Sequence, residues 1–140
     1  MTRFIGVDYG SKRVGLAISD SLGLTAQPLE VVSRAKAVDR IFELVAEYEV
    51  ETIVMGLPTS LSGGEGVSAQ EARSLGEELT AADLSVDYMD ERFTSRMAED
   101  VLLESGMKRR DRRDTVDKVA AAIILQDYLD RRARGNSEAR

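Results

Sequence analysis

Hydrophobic and polar positions follow two rhythms along this chain, and each change of rhythm marks an element. Apolar runs over Phe4 to Tyr9, Arg13 to Ser19 and about Leu29 to Val32 read as three strands, joined by connections short enough for antiparallel neighbours. From about Lys36 to Tyr48 the period lengthens: Val38, Ile41, Phe42 and Val45 recur at helical spacing, with Arg40, Glu43 and Glu47 on the other side. Thr52-Ile53-Val54-Met55-Gly56-Leu57-Pro58 is an apolar strand of the kind buried on both faces in a parallel sheet, and Pro58 stops it. A polar loop with Gly63, Gly64 and Gly66 comes next. Ser68-Ala69-Gln70-Glu71 has capping-box spacing and opens a helix to about Ala82, whose stripe is Ala72, Leu75, Gly76 and Leu79. Ser85 to Asp90 is the next strand and runs into Glu91-Arg92. Thr94 or Ser95 caps a helix that buries Met97, Ala98, Val101 and Leu102 and stops near Gly106. The last helix is expected from near Asp114. It is apolar on almost every side between Val119 and Leu125, and from Arg131 the chain turns polar and basic.

Three antiparallel strands followed by alternating helix and parallel strand predict an α/β fold, a mixed five-stranded sheet with helices on both faces. The chain has 140 residues, the size of one domain, expected over residues 1–133 with a flexible basic tail over 134–140. No apolar run reaches membrane-spanning length, and Met1-Thr2-Arg3 leads straight into a strand. A cytoplasmic location without a membrane partner is the expectation.

Composition changes the picture mainly through what is missing. There is no cysteine and no histidine, which removes disulfides, thiol nucleophiles, Ser-His and Cys-His pairs, imidazole bases and the usual zinc sites. Any catalysis must run on carboxylates, supported by Lys, Ser, Thr, Tyr or a hard metal ion such as magnesium or manganese. The formal net charge of -6 argues against a general nucleic-acid coat protein, yet the basic residues are bunched, most densely over Lys108-Arg109-Arg110-Asp111-Arg112-Arg113.

Sites in mixed sheets gather outside the carboxyl ends of the parallel strands, and Asp8 and Glu91 each fall at such an end. Asp8 either meets a cation there or caps the following turn through the amides of Gly10 or Ser11. Asp114 and Asp117 are three residues apart and share a helix face that continues through Ala121, Ile124 and Tyr128, the stripe expected to lie on the sheet. Asp114 can also be read as the N-cap, with Asp117 in the first turn. Asp8, Glu91 and Asp117, with Asp114 nearby, would bring several carboxylates to one end of the sheet, an arrangement that needs a proton or a cation between them. Two divalent ions about 4 Å apart answer that need in phosphodiester cleavage, one activating a water and the other stabilising the leaving oxygen. Lys12, Arg13 and Arg92 could then hold phosphates, and Lys108, Arg109, Arg110, Arg112 and Arg113 either track a nucleic-acid backbone or form a solvated loop.

Gly6-Val7-Asp8-Tyr9-Gly10 with Val14-Gly15-Leu16-Ala17, Gly56-Leu57-Pro58, Asp90-Glu91-Arg92-Phe93-Thr94-Ser95, and Asp114 through Asp117 with Ala120-Ala121-Ala122-Ile123-Ile124-Leu125 together resemble the YqgF family, also called RuvX. The resemblance implies the ribonuclease H-like fold and a metal-dependent nuclease, associated with maturation of the 5′ end of the small-subunit ribosomal RNA precursor. It places the family's first-strand Asp on Asp8, the Glu of its Asp-Glu-Arg motif on Glu91 and its final-helix Asp on Asp117. In the related RuvC resolvases a carboxylate ends the fourth strand, where this chain has Gly56-Leu57-Pro58, and the resemblance implies that Glu91 takes its place. RuvC enzymes also carry two acidic residues in the last helix, at the spacing of Asp114 and Asp117.

The expected substrate is therefore structured RNA, with branched DNA as the alternative and a two-fold dimer required for resolving a junction. The chain is expected as a monomer or a homodimer, and a monomer bound to DNA would count against junction resolution. Two other classes compete. Asp8-Tyr9-Gly10-Ser11 also resembles the phosphate loop of actin-like and sugar-kinase ATPases, but those need a second domain. A non-catalytic RNA-binding module is the other alternative, against which the retained carboxylates speak.

Overall fold

The computed structural model describes residues 3–10, 13–57, 67–90 and 109–138. Its elements in chain order are β1 (Arg3–Tyr9), β2 (Arg13–Ser19), β3 (Ala26–Ser33), α1 (Arg34–Tyr48), β4 (Val50–Leu57), α2 (Val67–Ala81), β5 (Ser85–Asp90) and α3 (Arg109–Glu138). The strands form one sheet in the order β3-β2-β1-β4-β5. β1 and β2 pair antiparallel, as do β2 and β3, whereas β4 runs parallel to β1 and β5 parallel to β4. This is the mixed five-stranded sheet that the order of rhythms predicts.

Alternation along β1 divides the core in two. Ile5 and Val7 face α1 and α2, and with Val14, Leu16, Ile53, Met55 and Leu57 they bury Ala37, Ile41 and Leu44 of α1 and Ala72, Leu75 and Leu79 of α2. Phe4 lies on the other face, where Ala17 and Val54 join it against Ala121, Ala122, Ile124, Leu125 and Leu129 of α3. Each fully buried aliphatic side chain contributes about 1.5–3 kcal/mol, so both helical layers are held mainly by apolar burial. α1 ends where Glu49 takes a left-handed conformation (φ 52°) and donates its N–H to the Val45 carbonyl, and β4 begins at the next residue.

Some boundaries and stripes differ from the sequence reading. Phe42 is 37% exposed, and Ala37, Ile41 and Leu44 form the buried seam of α1, because the helix is rotated toward its small residue. β3 begins at Ala26, where the Ala26 N–H donates to Gln126 Oε1 of α3. α2 starts at Val67, one residue ahead of Ser68.

The largest correction concerns α3. It starts at Arg109, so Arg109, Arg110, Arg112 and Arg113 lie in a helix and not in a loop, and Asp114 is an interior residue and no N-cap. No glycine or proline interrupts residues 107–134, and arginine is a good helix former, so nothing in the basic run stops the helix. At the other end α3 continues through Glu138, past the polar turn at Arg131, supported by the Arg131–Asp127 pair at 3.2 Å. The helix expected between Thr94 and Gly106, and the loop of Gly63, Gly64 and Gly66, lie outside the described residues. Among the described residues no helix is long and apolar enough to cross a membrane.

Candidate active site

Asp8 is the penultimate residue of the central strand and shares the α3 face with Phe4 and Gly6. Its neighbours across the sheet are Gly15 on β2 and Gly56 on β4. Paired residues point to the same face, so this carboxylate stands between two positions without side chains. It is only 4% exposed.

The same glycines set the approach of α3. A Cβ at Gly6 would lie 2.7 Å from both the Ala121 carbonyl oxygen and Leu125 Cβ, and a Cβ at Gly15 would lie 2.0 Å from the Asp117 carbonyl oxygen. Helix backbone therefore rests directly on strand backbone beside Asp8. Neighbouring strands are about 4.8 Å apart, so the residue seated over Gly15 is offset from Asp8 sideways by roughly one strand spacing. That residue is Asp117. Its Oδ1 would be 3.5 Å from a Cβ at Gly10, in the turn that follows β1, so the side chain reaches toward the carboxyl end of the strand.

Asp117 is partly buried, and Arg13 Nε stands 3.4 Å from its Oδ2. Burial raises the carboxyl above its usual value, and the Arg13 charge opposes that rise without cancelling it. An acid that ionises reluctantly in its own site is one that a second cation would help to ionise.

The structure thus brings Asp8, Arg13 and Asp117 together at one end of the α3 face. Asp114 is one helical turn before Asp117 in α3, and Arg109, Arg110, Arg112 and Arg113 fall in its first turns. Lys12, Glu91, Arg92 and Lys108 lie outside the described residues. Among the described residues no three acidic, cysteine or histidine side chains meet in a metal site. The donors present nevertheless suit a hard divalent cation: they are carboxylate oxygens only, one is nearly buried, and the other is destabilised as an anion.

Sequence reasoning named the two carboxylates that the structure brings to this face, but not two residues that shape their surroundings. Glycine inside a strand signals close approach of another backbone, and Gly15 carried that signal. Arg34 carried none, since it opens an amphipathic helix among other charged residues. Its Nε and Nη2 donate to the Gly10 carbonyl at 3.0 and 2.7 Å.

Comparison with known proteins identifies the family. The family model for RuvX, described as Holliday junction resolvase, matches residues 2–131. A protein of Lactococcus lactis subsp. cremoris (strain SK11) named "Putative pre-16S rRNA nuclease" is 44% identical over 137 residues, covering 94% of this chain and 96% of its own length. A protein of the same name from Sulfurihydrogenibium sp. (strain YO3AOP1) is 39% identical over 140 residues, covering 97% and 95%. Among solved structures, T. thermophilus RuvC in complex with Holliday junction substrate superposes with a TM-score of 0.55 at 18% identity, covering 95% of this chain and 96% of that one. At that identity the likeness is one of fold, the ribonuclease H-like sheet.

Proposed function

The chain belongs to the RuvX family, and from that premise we propose that it is a divalent-metal-dependent nuclease that processes the 5′ end of the 16S ribosomal RNA precursor. The observation that carries the proposal is the seating of Asp117 over Gly15, beside Asp8, on one face at the carboxyl end of β1. The 44% identical Lactococcus relative, named for pre-16S rRNA, favours RNA over branched DNA as substrate.

In this reading Asp8 and Asp117 hold the metal, with Glu91 and Asp114 completing its ligands. Magnesium or manganese, when bound, supplies an activated water and stabilises the leaving oxygen. The protein's own contribution is positional. Asp8 is fixed by ladders on both sides, so its carboxylate cannot drift along the sheet. Asp117 is fixed by backbone contact with Gly15, which leaves its distance from Asp8 little freedom. Arg13 offers a cation to the substrate phosphate, and Lys12, Arg92, Lys108, Arg109, Arg110, Arg112 and Arg113 are assigned to the nucleic-acid backbone on their charge. The protein acts in the cytoplasm, and a monomer is sufficient for this role.

The test is cleavage of a labelled precursor-rRNA fragment and a four-way DNA junction, in manganese and in magnesium, by wild type, Asp8→Asn and Asp117→Asn. Cutting of the RNA, lost in both variants, is the expected result. Cutting of the junction alone, by a dimer, would replace RNA processing with junction resolution. A wild type that cuts neither would leave an RNA-binding module.

A further inference from the structure

The turn between β1 and β2 is gripped from the side of the sheet opposite the carboxylates. The β1–β2 ladder ends at the Tyr9–Val14 pair, and Gly10 and Arg13 stand just beyond it. The Gly10 N–H donates to the Arg13 carbonyl at 2.9 Å, which closes the turn on itself. The Gly10 carbonyl accepts both Nε and Nη2 of Arg34. The same guanidinium lies 4.4 Å from the centroid of the Tyr9 ring, and its Nη1 pairs with Glu71 of α2. The backbone of Arg34 is anchored close by, since it directly follows Ser33, the β3 partner of Arg13.

One side chain therefore joins β1, α1 and α2 around a single carbonyl. Only the planar fork of a guanidinium can donate twice to one oxygen while stacking on a ring; a lysine ammonium cannot do both. Attachment of α1 does not require this device, because Ala37, Ile41 and Leu44 already bury the helix. The Gly10 that Arg34 holds is hydrogen-bonded to Arg13, and Arg13 faces Asp117 on the α3 side.

We propose that Arg34 is a positioning residue: by holding the Gly10 carbonyl, with Glu71 steering its guanidinium, it fixes the β1–β2 turn so that Arg13 presents its cation beside Asp117 to nucleic-acid phosphate. This rests on the nucleic-acid role given to Arg13 above. Arg34 itself touches no substrate and acts from the opposite face.

The test is a double-mutant cycle in affinity. Binding of a labelled precursor-rRNA fragment without added divalent metal is measured for wild type, Arg34→Met, Arg13→Gln and the double variant, with the melting temperature of each. Arg34→Met should weaken binding roughly threefold to tenfold, and the double variant should bind no more weakly than Arg13→Gln alone. Arg34→Lys should recover only part of the loss. If Arg34→Met does not fold, Arg34→Lys and Glu71→Gln carry the same cycle against Arg13→Gln. Losses that multiply in the double variant, or unchanged affinity with a lowered melting temperature, would show a role in stability alone and overturn the inference. Wild-type affinity in Arg13→Gln would also overturn it, and the nuclease reading would still stand or fall separately on the loss of cleavage in Asp8→Asn.

Discussion

A methyl group at position 15 tests whether contact between helix and sheet sets the distance between the two carboxylates. In Gly15→Ala the new Cβ would stand 2.0 Å from the Asp117 carbonyl oxygen, 2.2 Å from its carbonyl carbon and 2.8 Å from the Lys118 nitrogen. All three atoms are backbone, so no rotamer change relieves the clash. A carbon and an oxygen need about 3.3 Å, so α3 and β2 must part by roughly 1.3 Å. Overpacking of a core costs about 1–3 kcal/mol, and backbone against backbone puts this variant at the upper end. For a domain of this size that is a fall in melting temperature of roughly 10 °C. A displacement of about 1 Å at a reacting centre costs on the order of 100-fold in rate, and under the proposed function the displaced residue, Asp117, stands at that centre. Gly6→Ala is the control, because its Cβ would press on the Ala121 carbonyl oxygen and Leu125 Cβ at 2.7 Å, one turn further from the site. The assay is urea unfolding of both variants beside their metal-dependent cleavage rates, measured where each is folded. Gly15→Ala should lose far more activity than Gly6→Ala for a comparable loss of stability. Wild-type unfolding and cleavage in Gly15→Ala, or equal activity losses in both variants, would refute the reasoning.

Four further outcomes are expected. Asp117→Asn should raise thermal stability at neutral pH, because the raised carboxyl means that folding resists its ionisation; the contribution of Asp117 to wild-type stability should be highest below the unfolded carboxyl value near 3.8 and fall as pH rises through the folded one, so the advantage of the variant should vanish in acid melts. Divalent metal at a hundredfold excess over its Kd should stabilise wild type by about 2.7 kcal/mol, and a thermal-shift titration should show that gain much reduced in Asp8→Asn. Gln126→Ala removes the acceptor of the Ala26 N–H and the donor to the Leu24 carbonyl, and chemical denaturation should show a loss of about 1–2 kcal/mol. Asp20→Ala frees the Leu24 and Thr25 amides; because those amides hold the Asp20 carboxyl below its usual value, its contribution is present above the unfolded value and lost as pH falls, so wild type and variant should converge in acid.

The sheet was legible because each strand has a plain chemical signature. The apolar run over Thr52 to Leu57 reads as a strand buried on both faces, and from Thr52 to Leu57 it is buried. Asp8 was legible for the converse reason, a charge at the end of an apolar strand. Helix ends were not, because Arg109 to Arg113 have the propensity of a helix and the polarity of a loop, and only tertiary context decides between them. The stripe of α1 was misjudged at Phe42 because periodicity cannot tell a buried Ala37 from an exposed position. Arg34 was invisible for a different reason: its partners include a backbone carbonyl, and nothing in the identity of Gly10 announces that its oxygen will be taken.

The seating of α3 over Gly15 has a consequence for how the protein is made. Asp8 is translated with the first described strand, and Asp117 only after every described strand. A nascent chain that has reached Asp90 can pair all five strands yet holds half of the carboxylate pair. For the nuclease proposed here, docking of the last helix is therefore the step that completes the carboxylate pair.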